Sequence, residues 1–299
     1  MIKTKCSNPT RILVPPGIGD IYWVTVKLAS FIKKEGLDAP ELTVVSYHDS
    51  LNSHLRGIPF LEMFPWISIG DPQCVENADN LKHIWNEAYS GPGRSIFPDI
   101  MGYDYLMAYN GCINSGGYIE TADEYDCEWI PRLILPPAIT SAYDSKFMLC
   151  FFPFIGTYQA HEKDFPVPLI ADTINQFTKS TGFLPVFIGG VTEQLMDTKR
   201  LELLALVPNA VDLVGRTPLN EVFGLMQGCQ MLFGYHSGIP NIGTALGKKS
   251  VLLWDDRFPE STSYACMPPW VRQTTYHAVL TKNLTVDTCL KRMYTTLET

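Results

Sequence analysis

The sequence predicts an α/β protein made of two doubly wound domains, each with a parallel sheet that carries helices on both faces. Three observations support this fold class. Short apolar runs alternate with helical patterns along the chain. A proline-rich stretch divides this alternation into two series. A chain of 299 residues also has a length at which a single core commonly splits in two. We therefore predict domains at 1–140 and 147–299, with a linker at about 129–146.

The first domain opens with an apolar run at 11–15, which predicts a strand. A glycine-containing turn follows, and apolar residues then recur with the spacing of one helix face. A second apolar run at 42–47 completes a β-α-β unit. Farther along, residues 80–89 fit a helix and residues 105–109 fit a strand.

The second domain alternates more regularly, as expected for a parallel sheet with crossover helices. The predicted strands are 147–152, 184–188, 211–214, 231–233 and 250–254. The predicted helices are 169–179, 193–206, 219–226, 239–246 and 286–297.

Composition narrows the class of protein. Hydrophobic residues make up 46% of the chain, yet no run of 18 apolar residues occurs and the first residues do not resemble a signal peptide. We expect a soluble, cytoplasmic protein. The eight cysteines form no Cys-x-x-Cys pair, which favours reduced thiols over a zinc site or a disulfide framework. The net charge of −8 lies mostly in the first half and argues against general affinity for polyanions.

The first candidate functional element is the turn Gly17-Ile18-Gly19-Asp20, which directly follows the first predicted strand. Its glycines allow close approach of the backbone to a ligand. Asp20 could instead cap the helix or complement its dipole. The pattern is not a dinucleotide fingerprint, because Tyr22 stands where the third glycine would be.

The second candidate element is the segment 235–249, between two predicted strands. Ser237 and Gly238 open a helix there, so backbone amides and the positive end of the helix dipole could hold a diphosphate. Gly243 would let this helix approach a neighbour closely, and Gly247 would end it. The same residues are also compatible with an ordinary helix start that binds nothing.

Four motifs in this order resemble the ADP-heptose:lipopolysaccharide heptosyltransferase-like family of inverting glycosyltransferases. They are Gly17-Ile18-Gly19-Asp20, Leu213-Val-Gly-Arg-Thr-Pro-Leu219, Gly234-Tyr-His-Ser-Gly238 and Ala245-Leu-Gly-Lys248. The resemblance implies the GT-B architecture, in which two Rossmann-like domains face each other across a cleft. It also implies a hexosyl-, pentosyl- or heptosyltransferase that uses a nucleoside diphosphate sugar and needs no metal ion or other cofactor.

The resemblance assigns roles to individual residues. Asp20 matches the family's catalytic base, with Gly17 and Gly19 in the turn on the acceptor side. Lys163 matches a lysine that contacts the donor phosphates, although Phe165 replaces the tryptophan that follows it in the family. The residues that we expect at the donor are Thr157, Lys163, Glu193, His236, Ser237, Gly238, Ile239 and Asn241.

Two of these positions depart from the family pattern, which usually has Asp-Ser/Thr-Gly-x-x-His. Here His236 replaces the acidic residue and Asn241 replaces the final histidine. A histidine can donate a hydrogen bond to a phosphate or to a sugar hydroxyl. It can equally be a structural residue.

The resemblance implies a glycan or glycolipid acceptor. A hydroxymethylated base in DNA is a less favoured acceptor, for which aromatic residues such as Tyr103, Tyr105 and Tyr109 could stack on bases, although we favour core packing as their role. Two other functions remain open. The first is a sugar-nucleotide epimerase, and the second is an inactive nucleotide-sugar-binding module.

Overall fold

The computed structural model describes the residues 10–14, 17–37, 41–47, 53–71, 73–75, 104–107, 111–114, 117–120, 133–139, 143, 146–152, 165–190, 194–256, 259–265, 267–268, 270–272 and 274–299. The chain divides into two compact units, Met1–Ile134 and Leu135–Thr299. We call them the first and the second unit. The predicted boundaries at 140 and 147 stay predictions.

The first unit is a mixed α/β structure. Its described strands are β1 (Arg11–Val14), β2 (Glu41–Tyr47), β3 (Ser68–Ile69), β4 (Gln73–Val75), β5 (Tyr105–Met107), β6 (Gly111–Asn114) and β7 (Gly117–Glu120). Its described helices are α1 (Ile18–Glu35) and α2 (Ser53–Leu61). The sheet has the order β3-β2-β1-β5-β6-β7, with β4 also paired to β2. Strand β1 is parallel to both of its neighbours, whereas β5, β6 and β7 form antiparallel pairs.

Helix α1 forms because its apolar residues repeat on one face. Ile21, Leu28 and Phe31 on that face are fully buried. The helix stops at Gly36, whose φ of 64° lies in the left-handed region and whose N–H donates to the carbonyl oxygen of Ile32. The predicted β-α-β unit at the start of the chain is therefore confirmed. The predicted helix at 80–89 lies outside the described residues.

The second unit has a six-stranded parallel sheet. Its strands are β8 (Phe147–Phe151), β9 (Leu184–Ile188), β10 (Val211–Asp212), β11 (Met231–Tyr235), β12 (Ser250–Trp254) and β13 (Tyr276–Leu280), in the order β10-β9-β8-β11-β12-β13. All of its pairings are parallel. Its helices are α3 (Val167–Thr181), α4 (Gln194–Leu206), α5 (Leu219–Gly228), α6 (Gly238–Ala245), α7 (Glu260–Ala265) and α8 (Val286–Glu298).

Every strand and helix predicted for the second unit is present. The central strands are buried along their whole length, as expected for a sheet covered on both faces. Strand β13 and the short helix α7 were not predicted. Strand β13 is a five-residue run that contains His277, and its apolar character is weaker than that of the other strands.

Alternate residues of β12 face two different apolar clusters. Val251 and Leu253 pack in a cluster that also contains residues of α3 and α8. Leu252 and Trp254 pack in a second cluster that contains Met267. The second cluster therefore covers the opposite face of the sheet and fixes the direction of the Trp254 side chain.

Helix α5 carries two glycines that face the beginning of the second unit. A Cβ atom on Gly224 would lie 2.9 Å from Cδ1 of Ile139, and one on Gly228 would overlap the carbonyl oxygen of Ile139. The N–H of Ile139 donates to the carbonyl oxygen of Gly224 at 2.9 Å. The segment 135–139 thus lies directly against this helix because neither glycine has a side chain.

Gly234 in β11 occupies a position that only glycine can take. Its φ is 142°, and a Cβ atom there would overlap the carbonyl oxygen of Phe151 and lie 2.7 Å from its carbonyl carbon. Phe151 is the register partner of Gly234 in β8. The absence of a side chain therefore permits the contact between the two central strands at their carboxyl ends.

We predict that Gly234→Ala lowers the free energy of unfolding by about 3 kcal/mol or more, because both the backbone angle and the neighbouring strand oppose a Cβ atom. Urea unfolding followed by circular dichroism measures this change. Gly247→Ala is the matched control. Gly247 also has a positive φ, 87°, but a Cβ atom there meets nothing within 4 Å, so we expect a loss of only about 1 kcal/mol. Equal losses in the two variants would contradict this account.

His277 is a buried histidine in β13, with 5% of its surface exposed. Neither ring nitrogen has a hydrogen-bond partner among the described residues. Burial lowers the pKa of this imidazole, and the nearby charge of Arg292 lowers it further. The folded protein therefore holds His277 in its neutral form.

We predict that His277 makes the protein less stable in acid. The unfolded imidazole binds a proton near pH 6.5, whereas the folded one binds it only at lower pH, so stability falls as the pH drops below about 6.5. The fall ends once the folded imidazole is also protonated. Thermal unfolding of the wild type and of His277→Leu at several pH values between 5 and 8 measures the effect. The stability difference between the two proteins should change below pH 6.5, and a constant difference would refute the assignment.

Candidate functional site

Asp20 lies just beyond the carboxyl end of β1, in the first turn of α1. Strand β1 has β2 on one side and β5 on the other, and the chain moves to β2 first and to β5 later. The carboxyl end of β1 is therefore next to the point where the strand order reverses, which is the usual ligand site of an open α/β sheet. Asp20 has the position that the sequence predicted for it.

The Asp20 carboxylate is folded back over Gly17, the N-cap residue of α1. A Cβ atom on Gly17 would overlap Oδ2 of Asp20 and lie 3.5 Å from its Cγ. Gly17 has a φ of −73° and a ψ of 132°, which any residue can adopt. The glycine is therefore required by the closeness of the carboxylate and not by the backbone angle. Gly19 lies in the first turn of the same helix.

The sheet of the second unit also has a point where the strand order reverses. Strands β8 and β11 are neighbours, and the chain goes from β8 to β9 and β10 on one side before it returns to β11. The carboxyl ends of β8 and β11 therefore flank the reversal point of this sheet. His236 and Ser237 follow β11 directly, so this motif lies at that point.

Ser237 is the N-cap residue of α6 and is exposed. Its side chain does not cap the helix. The first three helical residues are Gly238, Ile239 and Pro240. Proline has no N–H, so Gly238 and Ile239 supply the amides of the first turn. The positive end of the helix dipole is at the same place and favours an anion.

Close packing holds α6 against the sheet. A Cβ atom on Gly243 would lie 2.7 Å from Cδ1 of Leu232 and 2.7 Å from Sδ of Met226. The helix ends with two hydrogen bonds, from the N–H of Gly247 to Thr244 and from the N–H of Lys248 to Gly243, which is the Schellman pattern. Both roles that the sequence predicted for Gly243 and Gly247 are confirmed. The helix start is thereby fixed relative to β11.

The imidazole of His236 stacks on the indole of Trp254. The two ring centroids are 3.9 Å apart and the ring planes differ by 5°. The carbonyl oxygen of Leu253 accepts a hydrogen bond from the His236 backbone at 3.0 Å and lies 3.2 Å from Nδ1 of its ring. His236 was predicted from the sequence as a site residue, whereas Trp254 was not. Only the parallel pairing of β11 with β12 shows that the two residues are neighbours.

Asn241 lies one turn into α6. Its Oδ1 atom is buried and has no hydrogen-bond partner among the described residues. Asp255, which directly follows β12, has 6% of its surface exposed. Burial raises the pKa of Tyr235, and the negative charge of Asp255 raises it further. Tyr235 is therefore a neutral phenol at physiological pH.

Aromatic rings fill the space at the ends of β8 and β11. Phe165 packs on Phe152 at 5.2 Å and on Tyr235 at 6.1 Å, measured between centroids. The ammonium group of Lys199 lies 5.3 Å from the centroid of the Phe165 ring. Burial lowers the pKa of Lys199, while Glu202 opposes this change. Lys199 was not predicted from the sequence, because helical periodicity alone does not show which residue its side chain contacts.

Three predicted donor residues, Thr157, Lys163 and Glu193, lie outside the described residues. Their roles stay predictions. Within the described ranges, no group of three His, Cys, Asp or Glu side chains is placed to hold a metal ion. None of the helices in the described part of the chain is long and apolar enough to span a membrane.

No protein-family model and no curated protein matches this chain by sequence. Solved structures do match its fold. ADP-heptose LPS heptosyltransferase II of E. coli is 13% identical, with a TM-score of 0.58 over 97% of this chain and 98% of that chain. A glycosyl transferase of family 9 from Veillonella parvula is 14% identical, with a TM-score of 0.58 over 97% of both chains. A putative UDP-N-acetylglucosamine 2-epimerase from Listeria monocytogenes is 10% identical, with a TM-score of 0.51 over 98% of this chain and 89% of that chain.

These similarities confirm the predicted fold class, two Rossmann-like domains of the GT-B kind. They also confirm that the resemblance to heptosyltransferases, first seen in four short motifs, extends over nearly the whole chain as a shared fold. At identities of 10–14% the shared feature is the fold.

We predict that Gly17→Ala displaces the Asp20 carboxylate without unfolding the protein. The backbone angles of Gly17 suit alanine, and only the carboxylate is in its way. Turnover in any reaction that uses Asp20 should fall about tenfold or more, since a shift of about 1 Å can cost much of the rate, while the melting temperature stays nearly constant.

Gly36→Ala, at the other end of α1, is the matched control. Gly36 has a φ of 64° and nothing within 4 Å of a new Cβ atom, so this variant should lose about 1 kcal/mol of stability and keep its turnover. A Gly17→Ala protein with normal turnover would show that the position of the Asp20 carboxylate is unimportant.

Proposed function

We propose that this protein is an inverting glycosyltransferase that moves a sugar from a nucleoside diphosphate sugar to an acceptor hydroxyl. One observation carries the proposal. The two motifs selected from the sequence each lie at the carboxyl end of the strand that flanks the reversal point of its own sheet. A carboxylate lies at one of these ends, and a helix N-terminus lies at the other. This combination suits a base in one domain and a diphosphate in the other.

In the proposed reaction the second unit binds the donor. The amides at Ser237, Gly238 and Ile239 hold the diphosphate, together with Thr157 and Lys163. Glu193 contacts the nucleoside. Negative charge grows on the diphosphate as it leaves, and fixed donors that are already in place stabilise that charge. The proposal therefore needs no metal ion or cofactor for this step.

Asp20 is the proposed base. The acceptor oxygen attacks the anomeric carbon from the side opposite to the diphosphate and forms the new glycosidic bond. The bond from the anomeric carbon to the diphosphate oxygen breaks, and the nucleoside diphosphate keeps that electron pair. Asp20 takes the proton of the acceptor hydroxyl during the attack. The anomeric configuration is inverted in a single displacement.

We propose a glycan or glycolipid as the acceptor. The names of two similar structures support this choice, since one is called an ADP-heptose LPS heptosyltransferase and the other a glycosyl transferase of family 9. A hydroxymethylated base in DNA is the less favoured acceptor. The overall net charge of −8 opposes nonspecific binding to DNA.

A screen of nucleotide sugars tests the proposed function. A ligand that binds only the folded state raises the melting temperature in proportion to the logarithm of its concentration over its dissociation constant. At least one of ADP-heptose, ADP-glucose, UDP-glucose, UDP-N-acetylglucosamine and GDP-mannose should stabilise the protein. The free sugars are the controls. If none of the five shifts the melting temperature at millimolar concentration, the proposed function is wrong.

We predict that Asp20→Asn loses turnover and keeps donor affinity. General bases typically contribute about 10²–10⁴-fold in rate, so a loss in that range is expected. The nucleotide sugar that the screen identifies is used to measure both turnover and the dissociation constant. Glu35→Gln removes the same charge from the other end of α1 and should leave both unchanged. Normal turnover in Asp20→Asn would refute the role of Asp20.

A sugar-nucleotide epimerase is the second candidate. It is favoured by the fold shared with the putative UDP-N-acetylglucosamine 2-epimerase and by a histidine, His236, at a position where the glycosyltransferase pattern has an acidic residue. Incubation with UDP-N-acetylglucosamine and no acceptor, followed by NMR, distinguishes the two reactions. An epimerase gives the sugar epimerised at C2, whereas a glycosyltransferase leaves this substrate intact or slowly hydrolyses it.

A further inference from the structure

The chain passes from the first unit to the second once, between Ile134 and Leu135. The structure describes the residues on both sides of this point, at 133–139. The sequence predicted a linker here, at about 129–146. A linker of that length, if unbound, would let the two units reorient freely. The hydrogen bonds of its described part therefore determine how much freedom it gives.

Ile134 is bound to the first unit. Its N–H donates to the carbonyl oxygen of Met63 at 2.7 Å. Met63 is itself held in place, because its N–H donates to the carbonyl oxygen of Phe60 at 3.2 Å and the residue is buried. The first unit thus anchors the connection at Ile134, the last residue before the crossing.

The second unit binds the connection from Pro136 onward. The side-chain amide of Gln227, on α5, donates to the carbonyl oxygen of Pro136. Three residues later, the N–H of Ile139 donates to the carbonyl oxygen of Gly224 on the same helix at 2.9 Å. Leu135 therefore lies between the last anchor of the first unit and the first anchor of the second.

Two prolines limit the backbone torsions beside Leu135. The ring of Pro136 fixes its own φ and disfavours a helical conformation of the residue before it, Leu135. Pro137 restricts Pro136 in the same way. The soft torsions of this connection are therefore those of Ile134 and, over a restricted range, those of Leu135.

Free space lies beside Leu135. This residue lines a cavity of about 90 Å³ together with Met226, Leu246 and Lys248. Such voids are few in a close-packed protein. A rotation of the backbone at Leu135 can therefore carry its side chain into free space and not into a neighbouring side chain.

We propose that Leu135 is the hinge of this protein, and that movement of the two units relative to each other is confined to the backbone torsions of Ile134 and Leu135. The units then turn about this point and cannot separate by extending a loose linker. The hinge goes beyond the proposed function and does not depend on it. In the proposed reaction it has a consequence, because a short connection gives the base of one unit a high effective concentration at the donor held by the other.

Residual dipolar couplings of backbone amides test the hinge in the full chain without a ligand. Each unit gives its own alignment tensor, and the two tensors have equal magnitudes only when the units do not reorient freely. The wild type should give nearly equal magnitudes. Six alternating glycine and serine residues inserted between Ile134 and Leu135 add a reach of about 13 Å, so the magnitudes should then differ about twofold or more. Equal magnitudes after this insertion, or unequal ones in the wild type, overturn the inference.

The same insertion between Pro208 and Asn209 is the matched control. These residues form an exposed turn within the second unit. An insertion there lengthens the chain by the same amount and leaves the connection between the units unchanged. The two magnitudes should stay equal in this variant, and unequal ones would show that the insertion acts by some route other than the hinge, which overturns the inference.

Gln227→Leu tests the anchor on the second unit. It removes the donor to Pro136 and so lengthens the unbound part of the connection to 135–138. The magnitudes should become unequal, by less than with the insertion. Gln176→Leu is the control, because it removes a glutamine amide that donates to Asp172 within α3. Thermal unfolding checks that both variants are folded. If Gln227→Leu gives the same equal magnitudes as the wild type, a hinge of one residue is wrong.

Kinetics with the nucleotide sugar that the screen identifies separates this inference from the proposed function. The insertion between Ile134 and Leu135 should lower kcat about tenfold or more, because the reacting groups are no longer held in place. It should leave the dissociation constant of the nucleotide sugar unchanged, because the proposed donor residues belong to the second unit. A normal kcat would overturn the role of the hinge in turnover. If the wild type binds no nucleotide sugar, the proposed function fails, and the dipolar couplings still decide whether the hinge exists.

Discussion

The contact between β8 and β11 is the constraint on which the second unit depends. Gly234 lies so close to Phe151 that no side chain fits between the two strands at their carboxyl ends. This closeness places the end of β11 beside the reversal point of the sheet, and the three residues that follow belong to the candidate site. The position of His236 therefore follows from the packing of backbone on backbone. The same glycine belongs to the motif that resembles the heptosyltransferases, so one residue serves both the sheet and the site.

In both units, a glycine without a side chain makes room for a close neighbour. In the first unit a glycine makes room for a carboxylate, because Gly17 has no side chain where the Asp20 oxygen lies. In the second unit a glycine makes room for a neighbouring strand. The backbone angle alone would identify Gly234, whose φ is 142°, but not Gly17, whose angles are ordinary. Each of the two glycines has a close neighbour, which is the Asp20 carboxylate for Gly17 and the backbone of Phe151 for Gly234. A side chain at either position would displace that neighbour.

Much of the second unit could be predicted from the sequence because its strands are continuous apolar runs and its helices have a clear periodicity. The first unit was less predictable. Its hairpin β6–β7 contains Gly111, Cys112 and Gly117, which give no strand pattern, and its strands β3 and β4 have two and three residues. At the site, the predicted motif at His236 was found where the sequence placed it. Trp254 was not predicted because it is 18 residues away in the sequence, and only strand pairing brings the two rings together.

The glycines of α5 have a consequence for how the second unit can be separated from the first. Gly224 and Gly228 leave a bare strip of helix backbone that is covered by the segment 135–139. A fragment that began at residue 141 would expose that strip to water and lose the hydrogen bond from Ile139. A fragment that began at Leu135 would keep the segment 135–139 that packs on these two glycines. The few residues before β8 are therefore part of the second unit's architecture, and truncation experiments should cut the chain before them.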